Sequence, residues 1–146
     1  MSEEVVFDTQ GVVKKFMFVN RRAPYGTIYA LEILESVLIS AAFEQDTSVA
    51  FLDDGVFQIK KGIDTKEVGM KNFSNTYRAL AGYDIEKLYV EKESMEARGL
   101  TPADFAVKVQ VIGEVSAALK VIAAVVEPGE IRTIELHTDA VICASV

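Results

Sequence analysis

The strongest constraint on this chain is a pair of short, almost uninterrupted apolar runs held apart by one long amphipathic stretch. The first run is Lys14-Lys15-Phe16-Met17-Phe18-Val19-Asn20 and the second is Thr47-Ser48-Val49-Ala50-Phe51-Leu52. Runs of this kind, without polar alternation, suit strands covered on both faces of a parallel sheet. Between them, Thr27 to Phe43 sets Ile28, Leu31, Leu34, Leu38 and Ala41 at helical spacing and turns Glu32, Glu35 and Glu44 to other faces, which predicts an amphipathic helix. Arg21 to Gly26 makes the turn into it, with Pro24 and Gly26 as punctuation. A strand, a helix and a second strand form a crossover unit of right-handed sense, so the chain reads as α/β.

The rest of the sequence continues the alternation. Lys60 to Gly69 reads as a surface loop, Asn72 to Leu80 as a short helix stopped at Gly82, and Lys87 to Val90 as a third strand. Ser94 to Arg98 is a helical turn closed by Gly99, and Thr101-Pro102-Ala103-Asp104 is a helix-start signal. Alternation of Val107, Val109 and Val111 predicts a fourth strand; the alanines between Val115 and Val126 favour helix. After Pro128-Gly129 a short helix is expected from Glu130 to Leu136, and Ala140 to Ala144 ends the chain as a buried strand. Residues 1–13 show no sustained pattern and read as an N-terminal extension, which leaves 14–146 as a single domain.

Composition removes several function classes. The net charge is −7 and the isoelectric point near 4.8, so the average field repels phosphate backbones and anionic lipid, and direct binding to nucleic acid or membrane is not expected. Lys14, Lys15, Arg21 and Arg22 make a small basic rim beside the first strand, which reads as solvated surface. No apolar stretch has the length of a membrane span and the acidic start lacks the character of a secretory signal, so a cytoplasmic location is expected. A hydrophobic fraction of 50% is high for a domain that leaves so much of its surface in water, which points to a partner over part of that surface.

Three places hold chemistry-bearing residues. The turn Arg22-Ala23-Pro24-Tyr25-Gly26-Thr27 joins a strand to a helix, where free backbone N–H groups can hold an anion or meet a partner. It lacks the glycine pattern of a phosphate loop, and the simpler reading makes Thr27 an N-cap and Gly26 a turn residue. Asp53-Asp54-Gly55 ends the second strand; paired carboxylates there can hold magnesium, but a turn role suffices and no companion ligands are evident. Cys143, the one thiol, and His137, the one imidazole, invite a Cys–His nucleophile reading. Against it, Cys143 sits in an apolar terminal strand, where a thiol behaves as a small buried hydrophobe of low reactivity. No metal site or cofactor is expected from this residue set.

Specific strings go further. Lys15-Phe16-Met17-Phe18-Val19-Asn20-Arg21-Arg22-Ala23-Pro24-Tyr25-Gly26-Thr27, then Phe51-Leu52-Asp53-Asp54-Gly55-Val56-Phe57-Gln58, then Tyr89-Val90 and Glu96-Ala97-Arg98-Gly99-Leu100 together resemble the DsrE/DsrF/TusC family, nearest its DsrF and TusC branch, from about Lys14 to Leu100. The resemblance implies a single flavodoxin-like domain with a mainly parallel sheet of about five strands and helices on both faces. It also implies membership of a hetero-oligomer of three related subunits, commonly a heterohexamer, that relays persulfide sulfur. One branch of such assemblies serves intracellular sulfur oxidation and the other feeds 2-thiouridine formation in tRNA.

In the cysteine-bearing branch the sulfur-carrying residue lies shortly before an Arg-Gly element after the third strand, and counting back from Arg98-Gly99 puts Glu91 at that place. A carboxylate cannot form a persulfide. The resemblance therefore implies a non-catalytic subunit partnered by DsrE-like and DsrH-like chains that carry the active cysteines, in sulfur oxidation or, alternatively, in a TusC-like tRNA relay. Two further readings stay open on the residues alone: persulfide transfer through Cys143, and a small-ligand module using the Ala23–Thr27 turn with Asp53 and Asp54.

Overall fold

The computed structural model describes residues 13–113, 131–136 and 139–144. Its strands in chain order are β1 (Lys15–Asn20), β2 (Asp46–Phe51), β3 (Leu88–Glu91), β4 (Gln110–Ile112), β5 (Ile131–Leu136) and β6 (Asp139–Ala144). Across the sheet they run β4-β3-β2-β1-β6-β5. The first four strands are parallel, with Phe18 opposite Val49, Phe51 opposite Val90 and Glu91 opposite Ile112. β6 pairs antiparallel with β1, and β5 antiparallel with β6. The predicted α/β class with a mainly parallel sheet is what the structure shows.

Each step from β1 to β4 moves one strand in the same direction, so connections of right-handed sense all fall on one face. The helical segments there are α1 (Tyr29–Ala42), a 3₁₀ segment at Asp53–Ile59, another at Ser74–Tyr83, and α2 (Lys92–Ala97). They share one core with the strands: Phe18, Val49, Phe51, Leu88 and Val90 pack with Ile33, Leu34 and Val37 of α1, and with Val56, Ile59, Tyr77, Leu80 and Met95. The alternate residues of the same strands, Met17, Val19, Ala50 and Tyr89, form a second buried cluster with Leu52 and Ile112 on the opposite face. Both faces of the parallel strands are therefore covered, which is why β1 and β2 read as continuous apolar runs. The alanine-rich segment 115–126, predicted as helix, and the N-terminal extension up to residue 12 lie outside the described residues.

Several local expectations are corrected. Thr27 does not cap the first helix: α1 starts at Tyr29, its N-cap position is Ile28, no side chain closes that end, and Thr27 is exposed. The buried face of α1 is centred on Ala30, Ile33, Leu34 and Val37, with Leu31, Leu38 and Ala41 flanking it and Ile28 exposed. α1 is apolar around so much of its circumference that spacing alone could not choose the face.

The 3₁₀ segment after Phe73 runs past Gly82 and is capped by Asp84 in a left-handed conformation at φ 58°; a short polar side chain tolerates that region. Ile131–Leu136, expected as helix, is strand β5. Its Ile131-Arg132-Thr133-Ile134 alternation, rich in β-branched residues, pairs along the whole of β6. Gly99, as expected, closes α2 in a left-handed turn at φ 65°, its N–H bonded to Glu96 O at 3.0 Å and Leu100 N–H to Met95 O at 3.0 Å. Thr101 and Asp104 form a reciprocal capping box around Pro102–Asp104.

Candidate functional site

In an open α/β sheet the crevice beyond the carboxyl ends of the strands is where side chains from different crossovers converge. Here that crevice is an open cleft of about 560 Å³ lined by Arg21, Leu52, Asp53, Glu91, Glu93, Ser94, Ala97 and Arg98. Arg21 follows β1, Leu52 and Asp53 follow β2, Glu91 ends β3, and the remainder belong to α2 or its C-terminal turn. A larger cavity of about 630 Å³ lies between the 3₁₀ segment Ser74–Tyr83 and residues 106–110, and no buried carboxylate lines it.

Glu91 is the chemically unusual member of the cleft. The pleat puts it on the same face as Tyr89, and it is 5% exposed at the point where β3 turns directly into α2. One turn of helix later, Ser94 donates its hydroxyl hydrogen to Glu91 Oε2. The same Ser94 oxygen accepts the backbone N–H of Asp53 at 2.8 Å. The serine thus ties the end of β3 to the turn after β2, and both of its hydrogen-bonding capacities are directed. Asp53 takes a left-handed backbone, φ 49°, to make that contact.

Two arginines close the rim. Arg21 Nε donates to Asp53 Oδ2 at 3.0 Å, with both side chains more than half exposed. Arg98 reaches Asp54 Oδ1 through Nε and Nη2, each at 3.0 Å, and spends Nη1 on the carbonyl of Ser94 at 3.0 Å. Asp53 and Asp54, read from sequence as turn carboxylates or a metal pair, are each engaged by an arginine. Among the described residues no group of three or more His, Cys, Asp and Glu could hold a metal ion.

The loop Arg22–Thr27 does not line this cleft. Pro24 is buried, and Tyr25 is half-buried with its ring 5.2 Å from that of Phe73 and its hydroxyl donating to Asn72 Oδ1 at 2.7 Å. Burial pushes the Tyr25 phenol above its ordinary pKa, partly offset by the backbone amides of Phe73 and Ser74. Gly26 sits at φ 96°, and its N–H meets Met70 Sδ at 3.2 Å. Tyr25 and Gly26 are therefore tied to the 70–74 turn on the helical face of the sheet.

Beneath the Arg21–Arg22 corner lies a buried polar network that sequence reasoning missed. Gln58 and Asn20 are 0% exposed and Tyr77 is 1% exposed. Gln58 Oε1 accepts from Asn20 Nδ2 and from Tyr77 Oη, each at 2.8 Å, while Gln58 Nε2 donates to Arg22 O at 2.8 Å. Gly55 completes the corner: a Cβ there would stand 1.9 Å from Asn20 O, so only glycine lets the two strand ends approach. Arg98 and Gln58 stand in the strings that carry the family resemblance, though their partners were not legible there, and Ser94 left a faint signal. Ser94 lies three residues after Glu91, and Gln58 is a polar residue inside Val56-Phe57-Gln58-Ile59.

Cys143 lies in β6, opposite Phe16 of β1 on one side and Arg132 of β5 on the other. It is thus placed in an interior strand; its companion His137 lies outside the described residues. No helix among the described residues is long and apolar enough to cross a membrane.

The intracellular sulfur oxidation protein DsrF of Allochromatium vinosum is 64% identical over 93 residues, 64% of this chain and 68% of that protein. Protein TusC of Shigella flexneri serotype 5b is 37% identical over 90 residues, 62% of this chain and 76% of that protein. A TusC homologue of Vibrio vulnificus is 30% identical over 100 residues, 68% of this chain and 85% of its own. Residues 14–128 match the DsrE/DsrF-like family, and the chain belongs to that family.

Proposed function

We propose that this chain is a non-catalytic, DsrF-like subunit of a sulfur-transfer complex that serves intracellular sulfur oxidation in the cytoplasm, assembled with DsrE-like and DsrH-like subunits that carry the reactive cysteines. The observation that carries this reading is the 64% identity to a DsrF, against 37% and 30% to TusC proteins. The chemistry of the cleft supports it. Glu91, which a count back from Arg98-Gly99 matches to the family's sulfur-carrying cysteine, is a carboxylate fixed by Ser94, and an oxygen acid has no sulfur to extend. Cys143, the one thiol, belongs to an interior strand of the sheet.

Association draws support from apolar side chains left in water. Phe43 is 73% exposed, Ile28 59% and Ile39 58%, and their spacing of eleven and four residues sets them along one side of α1. The test is affinity isolation of the tagged chain from its own cells. Recovery of homologous cysteine-bearing subunits at fixed stoichiometry is expected; a strictly monomeric chain would overturn the reading.

A second reading, a TusC-like subunit of the relay that makes 2-thiouridine in tRNA, draws on the 37% identity to TusC. Deleting the gene separates the two. Loss of stored-sulfur oxidation with normal 2-thiouridine supports the first, and loss of 2-thiouridine the second.

A further inference from the structure

We infer that the cleft at the carboxyl ends of β1, β2 and β3 is a receptor for a cationic head group, a guanidinium or an ammonium, with Glu91 as its counter-charge. The first step is burial. A carboxylate withdrawn from water is normally paired with a cation or saturated with hydrogen bonds, because the charge otherwise costs several kcal/mol to bury. Glu91 is 5% exposed, yet among the described residues its carboxylate receives one side-chain hydrogen bond, from Ser94, and makes no ion pair.

The second step is that the neighbouring cations are engaged elsewhere. Arg98 puts Nε and Nη2 on Asp54 and Nη1 on the Ser94 carbonyl, and Arg21 puts Nε on Asp53. On the cleft wall two arginines, Arg21 and Arg98, stand among three carboxylates, Asp53, Glu91 and Glu93. The balance inside the cleft is negative.

The third step is direction. The Ser94 hydroxyl holds Oε2. The other oxygen, Oε1, is not sealed in: among the described residues the side-chain polar atom closed off from solvent without a partner is Asn20 Oδ1. Glu91 lines the cleft, and Oε1 is the oxygen that Ser94 leaves to a ligand there. A free volume of about 560 Å³ admits a side-chain head group with part of its stem. The Leu52 and Ala97 side chains offer apolar surface to that stem, as long basic side chains require. A divalent metal is a poor match, because a hard cation needs several oxygen ligands and one buried carboxylate is on offer.

This inference concerns the cleft alone and does not depend on the sulfur-relay reading, whose test is recovery of partner subunits. The experiment is an NMR titration of the full-length protein, following the amides of Asp53, Glu91 and Ser94. The probes are N-acetyl-arginine methylamide, its neutral isostere N-acetyl-citrulline methylamide, and spermidine. Saturable shifts at millimolar arginine probe, no saturation with the citrulline probe, and a Kd at least tenfold weaker in Glu91→Gln are expected. The tighter of arginine probe and spermidine assigns the source as a protein segment or a free polyamine. Equal response to the charged and neutral probes, no saturation by either cation, or an unchanged Kd in Glu91→Gln would overturn the inference. Because the charged-against-neutral comparison uses the unaltered chain, it decides the matter even where the variant folds poorly.

Discussion

Replacing Gln58 with Leu removes the hub of the buried network without changing side-chain volume much. In the native fold Gln58 makes three hydrogen bonds of 2.8 Å, to Asn20 Nδ2, Tyr77 Oη and Arg22 O. Gln58 and Asn20 are fully buried and Tyr77 nearly so, and each such bond broken beside a buried polar group costs about 1–3 kcal/mol. The three losses share one side chain and are not additive, so the expected destabilisation is about 3–6 kcal/mol, a large part of the ~5–15 kcal/mol that holds a domain of this size.

Tyr77→Phe is the internal reference. It removes one donor and leaves Gln58 Oε1 still bonded to Asn20, so it should cost about 0.5–1.5 kcal/mol. Urea unfolding followed by circular dichroism gives both values at a common m. A Gln58→Leu cost under about 1 kcal/mol, or one equal to that of Tyr77→Phe, would refute the claim that this network clamps the Arg21–Arg22 corner to the core.

Three other outcomes are expected. Gly55→Ala must move backbone, since its Cβ would sit 1.9 Å from Asn20 O; a loss of about 3 kcal/mol or more is expected in the same unfolding assay, and a neutral result would contradict the close approach of the strand ends. Asp104 is held below the ordinary aspartate pKa, first by the Thr101 backbone N–H and then by the Thr101 hydroxyl. A depressed folded pKa adds stability above the unfolded pKa and loses it as pH falls through the folded value. The advantage of wild type over Asp104→Asn should therefore be full at neutral pH and fade in the acid range below the usual aspartate value; a pH-independent difference would speak against the capping-box charge. Glu91→Cys should accept sulfur from a persulfide donor, read by intact mass with Cys143→Ser in both proteins. No adduct would mean that the cleft does not present that position to a donor.

The parts of the fold legible in the sequence were those whose signal is local. β1, α1 and β2 announce themselves through apolar periodicity, and Gly99 and the Thr101–Asp104 box through end chemistry. β5 was missed although its β-branched residues favour a strand, because the pairing with β6 that fixes it is a contact no six-residue window contains. The face of α1 was misplaced because apolar residues lie on several of its sides.

The cleft was only half legible for the same reason. Asp53 and Asp54 stand out as a turn, but their partners Arg21 and Arg98 lie 32 and 44 residues away. Only the parallel order of β1, β2 and β3 brings the three crossovers to one end. Gln58 stood at the end of a string that carries the family resemblance, but nothing in the sequence said that Asn20 and Tyr77 would meet it.

The central claim, that this chain supports sulfur transfer without carrying sulfur, is tested most directly on the complex isolated from its own cells. The complex is loaded with a persulfide donor and each subunit is weighed by intact-protein mass spectrometry. The account predicts added sulfur on the companion subunits and an unmodified mass for this chain. A stoichiometric sulfur adduct on Cys143 would contradict it.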